Sequence, residues 1–400
     1  MFTALLGLAS LALLVPALVL LIECLAASHR VDAPRARHPR PRLAVLIPAH
    51  DEGAVIPRTL DQVRAQLYPD DRLLVVADNC SDDTAALARR AGAEVIERRD
   101  AERRGKGFAL AFGLKHLSAR PPEVVLVVDA DCEVAAGTID RLARQASASG
   151  RPVQAEYVLT QSPNGAADAR GAISALAFLV RNQVRMRGLH RMGQPCQLTG
   201  SGMAFPWALL RDAPPLRDNL VEDMVLGVHL ALAGKPPLHC AQASITSPLP
   251  RDGRAQWGQR RRWEHGHLTT LLTYGPRLLT AGLRRRRIDL CAMALDIMVP
   301  PLALLVVAMV GLLPVTGGAW ALGASALPFL INLLSLGLVT VAVACAWWRF
   351  ARHTVPAHAL AAVPAYVLWK IPLYLGFALR GRHKTWERTA RASAEEERAA

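Results

Sequence analysis

The stretch EVVLVVDADCE, residues Glu123 to Glu133, decides the fold of this chain. Its aliphatic, β-branched run is typical of a strand buried on both faces of a sheet. Asp129 and Asp131 follow that run directly. Two carboxylates one residue apart repel each other unless a cation lies between them. The stretch therefore predicts a central strand with an acidic, cation-binding site at its carboxyl end.

Three similar runs precede this strand and predict a sheet, at Leu43 to Pro48, Arg72 to Asp78 and Ala93 to Arg98. Segments of helical length and periodicity separate them. Such alternation predicts an α/β fold with a mostly parallel, Rossmann-like sheet and helices on both faces. We place this domain at residues 43–250. Ligands of such sheets bind beyond the carboxyl ends of the strands, where the acidic residues fall.

The composition of the chain indicates a membrane protein. Of its 400 residues 52% are hydrophobic, yet its formal net charge is +14. High apolar content beside excess Lys and Arg fits membrane segments with basic cytoplasmic flanks. The seven cysteines lie far apart without a CxxC pair. This spacing argues against a zinc finger or a closed disulfide set and favours reduced thiols.

The amino-terminal run Phe2 to Ile22 is long enough to span a bilayer. A cleaved signal peptide would begin with basic residues, whereas here the arginines follow the run, in HRVDAPRARHPRPR (His29 to Arg42). The positive-inside rule then predicts an anchor, 1–27, followed by a cytoplasmic basic linker, 28–42.

The carboxyl-terminal third contains two more apolar runs, near Leu290 to Leu313 and near Trp320 to Trp347. Basic segments flank both outer ends, which predicts a two-span hairpin at 288–353 preceded by interfacial helices at 251–287. A third run, Ala357 to Leu379, contains Lys370 and prolines. We expect it to be interfacial or re-entrant, in a final segment 354–400 with a basic tail.

This pattern predicts a multi-pass protein of a bacterial-type inner membrane with its catalytic domain in the cytoplasm. The basic residues lie beside the membrane segments, where each Lys or Arg attracts anionic lipid headgroups by about 1 kcal/mol. Anionic lipids are therefore the expected partners of this charge, and nucleic acid is not.

Three further motifs are candidates for chemistry, each with a plainer structural reading. In DNCSDDT (Asp78 to Thr84) the first aspartate either contacts a ligand or belongs to a helix cap. In RRGKGFAL, Lys106 opens a helix whose amino terminus can hold an anion, although the spacing of a P-loop is missing. In VEDMVLGVHLALAGK, Asp223 is either a general base or a complement to the helix dipole.

Together these motifs resemble the membrane-bound inverting glycosyltransferases of family 2, which include cellulose, hyaluronan and poly-N-acetylglucosamine synthases and glycolipid glycosyltransferases. The resemblance rests on PAHDE, DNCSDDT, RGKG, DAD, GSGMAF, ED and QRRRW in the family's order. It implies a GT-A fold, a nucleotide-diphosphate sugar donor, usually a UDP-sugar, and Mg²⁺ or Mn²⁺ as cofactor.

The resemblance also assigns roles by position. Asp223 would be the catalytic base, and Asp129 and Asp131 would bind the metal. The implied donor-binding residues are Asp78, Glu52, Lys106, Asp129, Gln259, Arg262 and Trp263. The implied acceptor-binding residues are Gly200, Ser201, Gly202, Glu222 and Trp263. His50 and Asp51 in PAHDE depart from the family's usual asparagine, and VED lacks the threonine of its commoner TED.

The acceptor stays open at this point. The QxxRW motif, Gln259 to Trp263, favours a growing extracellular polysaccharide. The small number of spans favours a membrane lipid that receives one or a few sugars. A nucleotide-sugar sensor without turnover is a third possibility, against which the intact acidic set argues. Membrane partner subunits could complete a channel. Within QRRRW we expect Arg262 to act on the diphosphate, while Arg260 and Arg261 contact lipid phosphates.

Overall fold

The structure is a computed structural model that describes residues 2–27, 39–160, 169–211, 222–248 and 253–380. Residues 28–38 of the predicted basic linker, the tail 381–400 and the side chain of Glu222 lie outside the described residues. The chain divides into two compact units. Of the described residues, the sheet unit comprises 39–160, 195–211, 222–248 and 253–260, and the helical unit comprises 2–27, 169–194 and 261–380.

One sheet organises the sheet unit, and in the described part of the chain it has eight strands in the order β3-β2-β1-β4-β7-β6-β8-β5. The strands are β1 (Leu43–Ala49), β2 (Arg72–Asp78), β3 (Glu94–Arg98), β4 (Val124–Val127), β5 (Glu133–Val134), β6 (Val153–Thr160), β7 (Met203–Pro206) and β8 (Leu238–Pro248). The four predicted strands are present, and the mostly parallel α/β sheet is confirmed.

The pairing of the strands adds a feature that the sequence did not reveal. Strands β1 to β4 are parallel, as are β6 and β8. Strand β7 runs antiparallel to both β4 and β6, and the short β5 runs antiparallel to β8. The fourth strand, predicted over Glu123 to Asp131, also ends earlier than expected, at Val127. Asp129 and Asp131 therefore lie in the turn between β4 and β5.

The helices have the following bounds. They are α1 (Phe2–Ala26), α2 (Ile56–Arg64), α3 (Thr84–Arg90), α4 (Lys106–Leu117), α5 (Thr138–Ser149), α6 (Ala169–Leu179), α7 (Met186–Arg191), α8 (Trp207–Arg211), α9 (Glu222–Leu232), α10 (Gly253–Arg285), α11 (Ile288–Met298), α12 (Leu302–Ala321), α13 (Leu327–Ala346) and α14 (Val363–Arg380). Two π-helical segments, Val180–Arg185 and Trp347–Ala351, and a 3₁₀ helix, Ala357–Ala362, complete the set in the described residues.

Helix α4 packs closely on the first two strands. A Cβ atom on Gly113 would lie 2.5 Å from Leu46 Cδ1 and 3.0 Å from Val76 Cγ2, so this position needs glycine. The aliphatic side chains of β1, β2 and β4 form a buried core with Leu110 and Leu117 of α4. This packing fixes the amino terminus of α4, and with it Lys106, at the carboxyl ends of the strands.

Among the described residues, four helical segments are long and apolar enough to cross a membrane: Phe2–Ala26, Leu302–Ala321, Leu327–Ala351 and Ala357–Leu379. The predicted run Leu290 to Leu313 is not one helix. It is divided between α11 and α12, because Pro300 and Pro301 follow the end of α11 and proline cannot continue a helix. The predicted interfacial helices of 251–287 are largely one long helix, α10.

A buried ion triad joins three elements of the helical unit. Arg185 Nε donates to Glu23 Oε2 at 2.6 Å, and Arg185 Nη2 donates to Asp296 Oδ1 at 2.6 Å. All three side chains are buried. Gly188 allows this contact, because a Cβ atom there would collide with the backbone oxygen of Glu23. The triad therefore fastens α1 to the segment before α7 and to α11.

The charge within the 357–379 segment, which favoured an interfacial or re-entrant helix, is also paired. Lys370 is 2% exposed and forms an ion pair with Glu264 of α10. One residue further along α10, His265 Nε2 lies 3.0 Å from the carbonyl oxygen of Leu373. Both contacts join α10 to α14 within the helical unit, so Lys370 is neutralised by a protein side chain.

Candidate functional site

The candidate site of the sheet unit lies where parallel strands end. Strands β1, β2 and β4 end at Ala49, Asp78 and Val127. The loops that follow them therefore emerge at the same edge of the sheet. These loops contain PAHDE, DNCSDDT and DAD, the first motifs that the sequence singled out. This is the edge at which open α/β sheets bind their ligands.

Asp78 is held by an arginine that the sequence reasoning missed. Arg98 Nη1 donates to Asp78 Oδ1 at 2.6 Å, and both side chains are buried. The two residues face each other at the ends of β2 and β3, which pair in parallel register. Burial raises the pKa of Asp78, and the Arg98 hydrogen bond opposes that rise. Burial alone would thus favour a neutral Asp78, and Arg98 counteracts it.

Arg98 also reaches the loop before Lys106. Its Nη2 donates to Asp100 Oδ2 at 3.0 Å and to the carbonyl oxygen of Arg103 at 2.6 Å. Asn79 supports the same loop, because its Oδ1 accepts from the backbone N–H of Asp100 at 2.8 Å. The position of Asp78 is therefore linked to that of the segment that leads into α4.

Lys106 joins two predicted site residues. It is the first residue of α4, and Gly105 before it has a φ of 127°, which favours glycine. Its Nζ forms an ion pair with Asp129 and donates to the carbonyl oxygen of Gly200 at 2.7 Å. Residues far apart in sequence, in the RGKG, DAD and GSGMAF motifs, are therefore in direct contact.

Asp223 lies at the same place. It is the second residue of α9, and its Oδ1 accepts from the backbone N–H of Met224 at 2.8 Å. A Cβ atom on Gly200 would lie 3.3 Å from Asp223 Oδ2 and 3.5 Å from Lys106 Nζ. Gly200 has a φ of +92°, a conformation that other residues rarely adopt. The predicted base thus lies beside the Lys106–Asp129 pair.

The DAD turn contains the candidate metal ligands. Ligand atoms of Asp129, Asp131 and Cys132 all lie within 4.8 Å of one another. Cys132 is the less suitable of the three for a hard cation, because soft thiolate ligands favour Zn²⁺ or Cu⁺. The two carboxylates are the better candidates. Their hard oxygens suit Mg²⁺ or Mn²⁺, so the side chains present fit the implied metal.

A second acidic group is used within the loops themselves. Asp51 Oδ1 accepts from the backbone N–H of Ser81 at 2.6 Å, and Asp82 Oδ2 accepts from that of Gly53 at 3.0 Å. The backbone N–H of Glu52 donates to Thr84 Oγ1 at 2.8 Å. These bonds tie the PAHDE loop to the DNCSDDT loop. They give Asp51 a structural role, at a position where this motif departs from the family's usual asparagine.

Ser201 and Gly202, predicted to bind the acceptor, have contacts within the sheet unit. Ser201 is buried, and its Oγ accepts from the backbone N–H of Asp129 at 3.0 Å. A Cβ atom on Gly202 would lie 2.8 Å from Ala155 Cβ and 2.9 Å from Ile245 Cδ1. Gly202 therefore allows close packing against β6 and β8. Ser201 stabilises the DAD turn through its hydrogen bond with Asp129.

The QxxRW residues share one helix. Gln259, Arg262 and Trp263 all belong to α10, and their spacing places them on one face. In the helical unit the Trp263 ring lies 5.4 Å from the Phe178 ring. Arg260 is only 5% exposed, which does not fit the expectation that it projects toward lipid phosphates. His265 and His267 are buried against backbone carbonyl oxygens, consistent with structural roles.

Comparisons with known proteins bear on the family and the fold of this chain. The model of the family described as "Glycosyltransferase like family 2" matches residues 39–266, more than half of the chain. A probable glycosyltransferase, YdaM of Bacillus subtilis (strain 168), is 36% identical over 99 residues. That alignment covers 23% of this chain and 23% of YdaM, so the chain matches about a quarter of this relative's length.

A solved structure shares the fold. The mannosyltransferase PcManGT from Pyrobaculum calidifontis, determined in complex with GDP-Man and Mn²⁺, superposes with a TM-score of 0.52 and 20% sequence identity. The superposition covers 92% of this chain and 99% of PcManGT. The predicted fold class, a GT-A sheet with additional apolar helices, is confirmed.

Proposed function

This chain belongs to glycosyltransferase-like family 2, and on that premise we propose that it is a membrane-bound, inverting hexosyltransferase. Its donor is a nucleotide-diphosphate sugar, a UDP-sugar in our proposal, and its acceptor is a growing extracellular polysaccharide. One observation carries the proposal. Asp223 and Lys106, from separate motifs, both lie beside Gly200, and Lys106 forms an ion pair with Asp129 of a third motif.

Asp223 is the proposed general base. Its carboxylate takes the proton from the acceptor hydroxyl as the hydroxyl oxygen attacks the anomeric carbon. The new glycosidic bond forms on the face opposite the leaving group, and the bond to the diphosphate breaks with its electron pair on the nucleotide. General-base catalysis of this kind contributes roughly 10²–10⁴-fold to a rate.

Lys106 and Asp78 are the proposed donor contacts within the sheet unit. Lys106 is the first residue of α4, so its ammonium group lies near the amino terminus of this helix. A helix amino terminus itself favours an anion. A diphosphate leaving group gains negative charge as the bond breaks, and a fixed cation beside it lowers the barrier. Asp78, oriented by Arg98, accepts a hydrogen bond from the nucleotide base. Glu52 is a further donor contact implied by its motif.

Asp129 and Asp131 are the proposed ligands of Mg²⁺ or Mn²⁺. Such an ion, when bound, supplies positive charge to the diphosphate oxygens of the donor. The two carboxylates on the DAD turn are the hard oxygen donors that this chemistry requires. The Mn²⁺ complex of PcManGT supports Mn²⁺ as the first ion to test.

The remaining predicted roles follow from the family's motifs. Gln259 and Arg262 are proposed to contact the donor diphosphate, and Trp263 to offer an apolar face to the acceptor sugar. Gly200, Ser201, Gly202 and Glu222 are proposed to border the acceptor. Ser201 and Gly202 would act on the acceptor indirectly, by stabilising the DAD turn and β7, because their observed contacts are with residues of the sheet unit.

The proposed location is a bacterial-type inner membrane, with the catalytic domain, 43–250, in the cytoplasm. Four apolar helical segments in the described part of the chain have the length to cross a bilayer. In this proposal α1 is the anchor of 1–27, and α12 and α13 form the hairpin within 288–353. Basic flanks at 28–42 and at Arg284 to Arg287 favour the cytoplasmic side and contacts with anionic lipids.

A membrane lipid is the second candidate acceptor. The four candidate spans found in the residues that the structure describes are few for a channel that conducts a polymer, unless partner subunits contribute. A sensor without turnover is the third candidate function.

Purified protein in lipid nanodiscs, incubated with Mn²⁺ and UDP-glucose, UDP-N-acetylglucosamine or GDP-mannose, tests all three candidates. Release of nucleotide diphosphate supports an enzyme, and none with any donor supports a sensor. Product mass distinguishes a polymer from a glycolipid.

A further inference from the structure

A serine at the end of β8 contacts one of the candidate metal ligands. Ser247 Oγ donates to Asp131 Oδ2 at 3.0 Å. Ser247 is 3% exposed, whereas Asp131 is partly exposed in the DAD turn. The two residues are 116 positions apart in sequence, and no motif of the sequence includes Ser247.

The sheet explains how they meet. Strand β5 begins two residues after Asp131 and pairs antiparallel with β8, with Glu133 opposite Thr246. This pairing brings the DAD turn to the carboxyl end of β8. Because the strand alternates its faces, Ser247 and Thr246 point to opposite sides of the sheet. Ser247 alone faces Asp131, and Thr246 provides a neighbouring hydroxyl on the other face.

A second hydroxyl lies behind the first. Tyr157 of β6 is buried and forms a side-chain hydrogen bond with Ser247. In the β6–β8 register Tyr157 lies opposite Ile245, two residues from Ser247, so both side chains share one face. A serine hydroxyl has a single proton, which here goes to the carboxylate. Ser247 gives that proton to Asp131, and the Tyr157 hydroxyl is its second hydrogen-bonding neighbour.

We propose that Ser247, backed by Tyr157, is a positioning residue that orients the Asp131 carboxylate for a divalent cation. The inference rests on the proposed metal role of Asp131. A hydrogen bond to Oδ2 limits rotation of the carboxylate about its last torsion and fixes the direction of the other oxygen, Oδ1. Carboxylates that bind metals are themselves hydrogen-bonded, and loss of such a partner typically costs 10–100-fold in metal affinity or activity.

The test is direct measurement of Mn²⁺ binding to the full-length protein in nanodiscs, with UDP present, by electron paramagnetic resonance. We expect Ser247→Ala to weaken Mn²⁺ binding by about tenfold or more. Tyr157→Phe keeps Ser247 and loses only the outer hydroxyl, so its effect should be smaller and in the same direction. Thr246→Val is the matched control on the same strand and should bind Mn²⁺ like the wild type.

The variant Asp131→Ala distinguishes a failure of the proposed metal role of Asp131 from a failure of the positioning role of Ser247. If Asp131→Ala leaves Mn²⁺ affinity unchanged, the metal role of Asp131 is wrong and the inference falls with it. If Asp131→Ala weakens binding but Ser247→Ala does not, only the positioning role is wrong. If Ser247→Ala does not fold, Tyr157→Phe decides, and Mn²⁺ affinity equal to that of Thr246→Val overturns the inference.

Discussion

Gly200 lies against Asp223, so that a Cβ atom on Gly200 would come within 3.3 Å of Asp223 Oδ2. We expect Gly200→Ala to reduce turnover at least tenfold, because the methyl group would crowd the base and the nearby Lys106 ammonium. The substitution also strains the backbone, at a cost of order 1–3 kcal/mol. Steady-state turnover and thermal unfolding should be measured together.

Gly234→Ala is the control for that strain. Gly234 has a similar φ of +87°, but a Cβ atom there would meet nothing within 4 Å. It should lose comparable stability and keep its turnover. Equal loss of turnover in both variants would mean that backbone strain alone explains Gly200→Ala.

Arg98 should matter for both stability and donor binding. Arg98→Ala leaves the buried Asp78 without its 2.6 Å partner, and breaking a buried ion pair costs about 3–5 kcal/mol. We expect a lower unfolding temperature and a raised KM for the nucleotide sugar. Arg99→Ala is the matched control, because the neighbouring Arg99 side chain is 84% exposed. An unchanged donor KM in a folded Arg98→Ala protein would remove Asp78 from the donor site.

The contrast between Asp78 and Arg98 shows what sequence patterns can predict. The aliphatic runs of β1 to β4 and the acidic residues at their ends are local features of the sequence. The strands and the candidate site could therefore be predicted from the sequence alone. Arg98 ends a strand as Asp78 does, but their contact depends on the β2–β3 register. Ser247 was further out of reach, because the antiparallel β5–β8 pairing that places it left no signal in the sequence.

The ion pair of Glu264 and Lys370 is a second contact that could not be predicted from the sequence. Lys370 looked like an unpaired charge within an apolar segment, because its partner Glu264 lies 106 residues earlier. We expect Lys370→Met to lower the free energy of unfolding by about 3–5 kcal/mol, since Glu264 would be left unpaired. Thermal unfolding in detergent measures this effect.

The double variant Glu264→Gln/Lys370→Met should recover most of that loss, since neither charge remains unpaired. Lys115→Met, at an exposed position of α4, is the control for loss of a lysine. A Lys370→Met protein as stable as Lys115→Met would show that the pair contributes nothing to the stability of the helical unit.

Within the QRRRW stretch, neighbouring arginines should differ in effect. The motif assigns Arg262 to the donor diphosphate, so Arg262→Ala should reduce turnover strongly, whereas Arg261→Ala should not. The measurement is nucleotide diphosphate release by both variants at saturating donor. Equal losses in the two variants would contradict this division.

The central claim is that Asp223 is the general base of a nucleotide-sugar-dependent transfer. The most direct measurement compares nucleotide diphosphate release and donor binding in wild type, Asp223→Asn and the control Asp61→Asn, whose aspartate is exposed on α2. We predict that Asp223→Asn loses roughly 10²-fold or more in turnover while its donor Kd and the activity of Asp61→Asn stay unchanged. Wild-type turnover in Asp223→Asn would contradict the claim.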